Sequence, residues 1–183
     1  MLVLDLRLVD PPAETAITLD EVKLHCRIDH ADEDALLLSL IGAATDHIEG
    51  RDGVLGRCLV AQRWAFDVDQ LRGPVRLPFP DASAAAIVAE GGPVSAADVE
   101  LVHDVRGAIV RPADGATWPT GRATIEFVTG WPDADAVPDA IKHAMLQLIG
   151  HWYERREATT GERIADLPFG VAALLGPYRR NAV

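Results

Sequence analysis

The hydrophobic periodicity of this chain changes twice along its length, and that change limits the possible folds more than any other feature. Apolar residues recur every three or four positions over residues 18–48, as they do along one face of a helix. They alternate with polar residues in parts of 58–129, as they do in half-buried strands. The helical spacing returns at residue 138. The sequence therefore predicts an α+β protein in which a β-rich stretch separates two helical ones.

Two helices are predicted before the β-rich stretch. Thr18 is a good N-cap, and Glu21 follows at the spacing of a capping box, so a short helix should run to about residue 27. Asp29 and Asp32 then offer a second N-cap. A longer amphipathic helix should follow, ended by glycines near residue 50, and its apolar stripe consists of Leu36, Leu37, Leu40, Ile41, Ala44 and Ile48.

The middle of the chain has the alternation of strands. Trp64, Phe66 and Val68 share one face at a period of two, and the segment 122–129 alternates in the same way. Weaker strand candidates lie at residues 75–78, 84–90, 99–105 and 108–111, separated by Gly- and Pro-containing turns.

A long helix is predicted from Pro138, a residue that suits the first helical position. Its apolar stripe runs to about residue 157, and a short helical run follows at 171–175. We therefore predict a single domain over residues 1–183. In it, two N-terminal helices, one long C-terminal helix and a short terminal helix form a mainly α-helical bundle, and residues 57–131 form a β-rich insertion.

The charge balance makes direct DNA binding improbable. The chain has 28 acidic and 17 basic residues, a formal net charge of −11 at pH 7, whereas proteins that grip nucleic acid place Lys and Arg along the phosphates. An acidic surface suits either solubility or a wall that DNA passes without sticking. Cys26 and Cys58 are too few for a disulfide framework or a zinc site, and no stretch approaches the roughly 20 apolar residues that cross a bilayer. A soluble protein of a reducing cytoplasm, without membrane contact, is expected.

No catalytic set emerges from the sequence. The acidic residues Asp29, Asp32, Glu33 and Asp34 lack the register of a calcium loop, and acids at a helix N-terminus are favoured by the helix dipole regardless of function. His143 and His151 lie about two turns, or ~12 Å, apart on one helix, too far to share a metal unaided. We predict no catalytic residue, no cofactor and no bound metal.

The last third of the chain carries a more specific pattern. After the proline-led helix comes His-Trp-Tyr-Glu-x-Arg at residues 151–156, then Leu-Pro-x-Gly-Val-x-x-Leu-Leu-x-Pro-Tyr-Arg at residues 167–179. In this order and spacing the chain resembles the phage head-tail connector (adaptor) family, including the equivalent subunits of gene transfer agents. Weaker matches lie upstream at residues 62–67, 77–80, 118–119 and 128–131.

The resemblance implies a structural subunit and not an enzyme. Twelve copies would form a ring below the portal protein, extend the DNA channel without specific DNA binding, and give the tail or a stopper protein a place to dock. The subunit would be assembled in the bacterial host cytoplasm and would end in the particle of a phage, a prophage or a gene transfer agent. An isolated monomer is compatible with this role, because relatives stay unassembled until they meet the portal.

The resemblance also assigns working residues. In relatives the C-terminal segment reaches toward the portal, which here is residues 167–183. We predict that the docking residues are Leu167, Pro168, Phe169, Gly170, Val171, Leu174, Leu175, Tyr178 and Arg179. We predict that subunit or helix-end contacts are made by Trp152, Tyr153, Glu154 and Arg156. The alternative is that Val171, Leu174 and Leu175 pack back on their own bundle.

Two other functions stay open from the sequence. One is another neck or tail-completion protein of the same kind of particle. The other is a metal-dependent hydrolase that would use Asp29, Asp32 and Asp34, or His151 with Glu154.

Overall fold

The structure, a computed structural model, describes residues 3–155 and 169–180. They fall into two compact units. We call residues 1–13, 60–132 and 180–183 the β unit, and residues 14–59 and 133–179 the α unit.

The β unit contains two antiparallel sheets. The larger sheet has the order β1-β2-β8-β4-β5, and the smaller one has the order β3-β7-β6. The strands are β1 (Val3–Asp10), β2 (Gln62–Val68), β3 (Val75–Arg76), β4 (Ala84–Ala89), β5 (Gly92–Pro93), β6 (Val99–Asp104), β7 (Gly107–Pro112) and β8 (Ala123–Thr129).

Strand β8 is the centre of the larger sheet and supplies the middle of the core. Its residues alternate between buried and half-buried, and Phe127 pairs with Trp64 of β2 on one side and Ala85 of β4 on the other. The Phe127 ring lies 6.0 Å from Phe66 and 6.1 Å from Phe79, centroid to centroid. These distances are in the range of favourable aromatic contacts, so the inner face of β8 joins an aromatic cluster.

Gly130 directs the chain out of β8. Its φ is +103°, and a Cβ atom there would lie 2.5 Å from the carbonyl oxygen of Val60. The close approach permits the amide of Ala61 to donate to the carbonyl of Trp131 at 2.7 Å. Only glycine combines this φ with this contact at low cost.

The described part of the α unit contains four α-helices around one apolar core. The capping box of Thr18 and Glu21 is present as predicted, and Arg27 caps the first helix in a left-handed conformation with φ 59°. The buried faces supply residues such as Val22, Ile41 and Ile149. The helices are α1 (Leu19–Cys26), α2 (Asp34–Ile48), α3 (Asp139–Glu154) and α4 (Phe169–Leu175).

The prediction of a mainly helical bundle with a β insertion was wrong. Of the described residues, 31% are helical and 27% are in strands, so the fold is a mixed α+β one. One reason is β1, which was not predicted although residues 4–8 alternate between leucine and charged side chains. This strand pairs with β2 across a long sequence separation, so the first residues join the sheet and not the helices.

The predicted N-cap of α2 was also wrong. The helix begins at Asp34, with Glu33 at the N-cap position and no side-chain capping bond. Neither Asp29 nor Asp32 caps it. The carboxylate of Asp34, at the start of the helix, instead binds Lys23 of α1 at 2.7 Å, a contact between helices that local propensity does not include.

Within the described ranges, no helix has the length and apolar character needed to traverse a bilayer.

Truncating Phe66 tests the aromatic core. Phe66 is fully buried, so Phe66→Ala should lower the free energy of unfolding by ~3–5 kcal/mol, through lost burial and a residual cavity. Val105→Ala is the matched control, because this side chain is fully exposed and should change stability by less than about 0.5 kcal/mol. Urea unfolding followed by tryptophan fluorescence measures both, and equal effects would refute the assignment of the core.

Candidate connector surfaces

Helix α3 is the element on which the predicted C-terminal site is built. It follows Pro138, which occupies the N-cap position with extended backbone, and it buries a continuous stripe against the α unit. The stripe consists of Ile141, Ala144, Met145, Leu148 and Ile149. The sequence pattern predicted this helix, but Pro138 lies at the N-cap and not at the first helical position, and the helix ends at Glu154, before the predicted end near residue 157.

The predicted helix-end residues of α3 contact the other helices of their own unit. The Trp152 ring packs edge-on against His47 of α2 at a centroid distance of 6.2 Å. The Tyr153 hydroxyl donates a hydrogen bond to the Glu33 carboxylate. Glu154 is exposed. Arg156, the fourth predicted residue, lies outside the described residues.

A polar groove lies beside this helix end. Its volume is about 350 Å³, and its lining includes Cys26 and Glu154. Burial raises the pKa of the Cys26 thiol, and the nearby Glu154 carboxylate raises it further. Both effects favour the neutral thiol over the thiolate that acts as nucleophile, so the groove lacks an activated cysteine.

The predicted C-terminal docking residues divide into buried and accessible ones. Val171 and Leu175 of α4 are fully buried, whereas Leu174 is half-buried. Helix α4 packs on α3, and a Cβ atom at Gly170 would lie 3.3 Å from the Gln147 side-chain oxygen. The apolar surface of Val171 and Leu175 is thus already covered within the α unit, whereas that of Leu174 is covered only in part.

The remaining docking candidates follow α4 or precede it. Tyr178 is half-buried in a 3-10 turn, and the Arg179 Nε donates to the carbonyl of Val54 at 3.1 Å. Phe169 begins α4. Leu167 and Pro168 lie outside the described residues. An external partner could therefore meet this segment through Leu174 and Tyr178 without opening the core.

The acidic cluster is dispersed among separate partners. Asp34 pairs with Lys23, Glu33 accepts from Tyr153, and Asp32 lies 3.9 Å from His30. Among residues 3–155 and 169–180, no three His, Cys, Asp or Glu side chains are grouped closely enough to hold a metal ion. The arrangement stabilises helix ends and offers no shared coordination site.

The histidines of α3 also have local partners. His143 lies 3.1 Å from the side-chain nitrogen of Gln147, one turn along the helix, and its ring meets His25 of α1 edge-on at 6.2 Å. His151 is half-buried, and its carbonyl accepts from the amide of Arg155. These contacts hold α1 and α3 together.

The outer face of the larger sheet has a charged half over β1, β2 and β8. The Arg7 guanidinium donates to both carboxylate oxygens of Asp67, at 3.2 and 3.3 Å, and the Thr124 hydroxyl donates to Asp67 at 2.7 Å. The Thr124 hydrogen bond, and after it the Arg7 one, holds the pKa of Asp67 below its ordinary value. A second pair joins Arg63 to Asp10. Glu126 of β8 lies 3.9 Å from the same Arg63, so the two arginines of this half face three carboxylates.

The other half of the outer face is apolar, and sequence reasoning missed it. Ala84, Ala86 and Val88 of β4 are exposed on this side. The signal was present in the sequence, because residues 84–89 are apolar at every position and do not alternate. Such a strand resembles one that is buried on both faces.

A family model for the phage gp6-like head-tail connector protein matches residues 16–70 and 106–179. The two matched segments cover most of the chain. The chain belongs to this family. It is therefore a structural connector and not an enzyme, which confirms the prediction made from residues 151–156 and 167–179.

Solved structures similar to the connector come from particles of gene transfer agents (GTA). One is the neck of an empty GTA particle computed with C6 symmetry, with 27% identity and a TM-score of 0.76 over 98% of this chain and 97% of that one. Another is the virion of a native GTA particle, with 29% identity and a TM-score of 0.74 over the same shares. A third, the neck of a native GTA particle computed with C12 symmetry, shares the fold at 24% identity and a TM-score of 0.67. A comparison with curated proteins finds no match.

A charge placed under α4 tests how this helix is held in the connector. Val171→Asp should bury an unpaired carboxylate and destabilise the docked α4 by ~3 kcal/mol or more. Ala172→Asp puts the same side chain on the exposed neighbouring position and should leave α4 docked. Hydrogen exchange of residues 169–178 measures the difference, and unchanged protection in Val171→Asp would contradict the packing described above.

The Asp67 network predicts how connector stability depends on pH. A carboxylate whose pKa is lowered by folding contributes stability that is fully present above its unfolded pKa of about 4 and is lost as pH falls through the lower folded value. Asp67→Asn should therefore reduce stability at pH 7 and flatten the stability change between about pH 5 and pH 2.

Asp69→Asn is the control for this pH experiment. Its side chain is 65% exposed, and its cation partner Arg122 lies 3.6 Å away. Urea titrations at several pH values should show a smaller change for this variant, and identical pH profiles for the Asp67 and Asp69 variants would rule out the network.

Proposed function

We propose that the connector assembles as a ring in the neck of a phage-like particle, directly below the portal protein. The observation that carries this proposal is the match over nearly the whole chain to neck and virion subunits of gene transfer agents at 27% and 29% identity. A ring of twelve subunits, as the family resemblance implies, would match a portal of the same symmetry. It would extend the DNA channel from the head toward the tail.

The acidic composition supports a channel that DNA passes without binding. A net charge of −11 opposes the close approach of phosphates, and the larger sheet pairs its arginines internally with Asp10 and Asp67. Counterion release from such a surface is small, so specific or tight DNA binding is not expected. DNA would slide through the ring.

We further propose that the C-terminal segment, residues 167–183, is the portal-docking element. Support comes from the accessibility of Leu174, Tyr178 and Arg179 beside a helix that is itself packed on α3. A tail or stopper protein would then bind the opposite end of the ring. In this arrangement Val171 and Leu175 anchor the segment, and the accessible residues contact the partner.

Binding to the portal is the direct test. The connector should bind purified portal of the same particle and form a ring that electron microscopy resolves, and Tyr178→Ala with Leu174→Ala should weaken this binding by at least about tenfold. Ala172→Ser, which changes an exposed residue of the same helix, should bind normally. A chain that binds a tail-tube or tail-completion protein but never the portal would be a different neck component.

A further inference from the structure

Strand β4 has a residue pattern that its surroundings in a single chain do not explain. Antiparallel sheets with one face in water usually alternate apolar and polar residues, whereas strands covered on both faces are apolar throughout. Residues 84–89 are Ala-Ala-Ala-Ile-Val-Ala. Ile87 and Ala89 face the core and are buried, but Val88 on the outer face is 44% exposed. The outer face of β4 thus has the composition of a covered surface.

This apolar surface extends to the neighbouring strands. Val128 of β8 pairs with Ala84, and Pro93 of β5 pairs with Val88. Pro93 is exposed and Val128 is half-buried. We call Ala84, Ala86, Val88, Pro93 and Val128 the β4 patch. Because its central side chains are small, a helix could approach its backbone closely.

The chemistry around the β4 patch favours an apolar protein partner. On the adjacent strands, Arg63 is paired with Asp10, and Arg7 is paired with Asp67. These arginines are neutralised within the sheet, so the surface is poorly suited to phosphates or to a strongly acidic peptide. What is left to bind is mainly apolar, although the half-buried Glu126 of β8 lies opposite Ala86, 3.9 Å from the Arg63 guanidinium.

Helix α2 has an exposed face with the complementary shape. Ala35, Leu38 and Gly42 lie on one side of the helix at three- and four-residue spacing, and Leu38 is 55% exposed. A Cβ atom at Gly42 would meet no other atom within 4 Å, so this side is open. We call these three residues the α2 patch. It presents one large apolar side chain where the β4 patch presents small ones.

We propose that the α2 patch of one connector subunit packs on the β4 patch of the next subunit in the ring. This inference rests on the proposed function, because a closed ring joins two different surfaces of each subunit. The two patches lie in different units of the chain, one of α type and one of β type. A second copy of this chain therefore carries the surface that the β4 patch lacks.

The charge distribution favours this pairing over a contact between two α2 patches. The α unit contains 17 of the 28 acidic residues but only 9 of the 17 basic ones, whereas the β unit contains 11 acidic and 8 basic residues. Contact between two α units would bring together the more strongly negative surfaces. Contact between an α unit and a β unit reduces that repulsion and still buries apolar area.

The interface would be specific to connectors of this architecture. Strand β4 lies between the two segments that the family model matches, which end at residue 70 and resume at residue 106. The similar GTA neck and virion structures, in contrast, cover 98% of this chain. Ala84, Ala86, Val88 and Pro93 therefore lie in the unmatched segment, whereas Val128 lies in a matched one, and the interface would add a subunit contact that the family pattern specifies only in part.

Cross-linking between subunits tests the contact directly. Leu38→Cys and Ala86→Cys are introduced together in a Cys26→Ser chain, the ring is formed on purified portal, and a short bis-maleimide is added. The expected result is a ladder of covalent oligomers that extends to the closed ring. Each single cysteine variant, and the pair of Leu38→Cys with Ala97→Cys on an exposed 3-10 turn outside the patch, should give no ladder.

A charge in the β4 patch provides a second measurement. Ala86 and Ala97 are both exposed, so Ala86→Arg and Ala97→Arg should fold with the same melting temperature. Ala86→Arg should raise the concentration needed for ring formation by at least about tenfold, because a long charged side chain would occupy the space that Leu38 of the next subunit needs, even where it pairs with Glu126 on the adjacent strand. Ala97→Arg should assemble normally.

The outcomes separate the two proposals. A ring on the portal that neither cross-links through positions 38 and 86 nor responds to Ala86→Arg would overturn the interface and leave the proposed function intact. Failure of the unmodified chain to form any ring, with portal or without it, would reject the proposed function and the interface together.

Discussion

The β unit depends on the pairing of β8 with β2 and β4. This strand lies in the middle of the larger sheet, and its two faces contact different surroundings. On the inner face, Ile125 and Phe127 are buried in the aromatic core. On the outer face, Thr124 helps to hold Asp67 in the charged half, while Val128 belongs to the apolar half. Burial of the inner face fixes the register, because a shift by one residue would exchange the two faces.

The α unit also depends on the burial of apolar side chains, but it buries them between helices. Helix α3 buries one apolar stripe, and α4 completes the cover by inserting Val171 and Leu175. Leu174 and Tyr178, at the C-terminal end, are only half-buried. The proposed docking role of these two residues requires no change in the buried positions Val171 and Leu175.

Local signals predicted the helices and most strands well. The capping box at Thr18, the stripe of α3 and the alternation in β2 and β8 all depend on neighbours within a few residues, and all were found where the sequence placed them. The predicted proportion of helix to sheet was wrong, because β1 pairs with β2, which lies about 60 residues away in the sequence. The predicted N-cap of α2 was wrong, and the Lys23–Asp34 pair at the start of this helix is formed between helices, where a local pattern does not reach.

The sequence by itself determined the family and the class of protein, because the pattern at residues 151–156 and 167–179 is local and ordered. Only the tertiary structure decided which apolar residues are buried and which are exposed. Val171 and Leu175 turned out to be buried, whereas Ala84, Ala86 and Val88 turned out to face outward. Hydrophobicity is a property of a residue, but exposure depends on what the rest of the chain places against it.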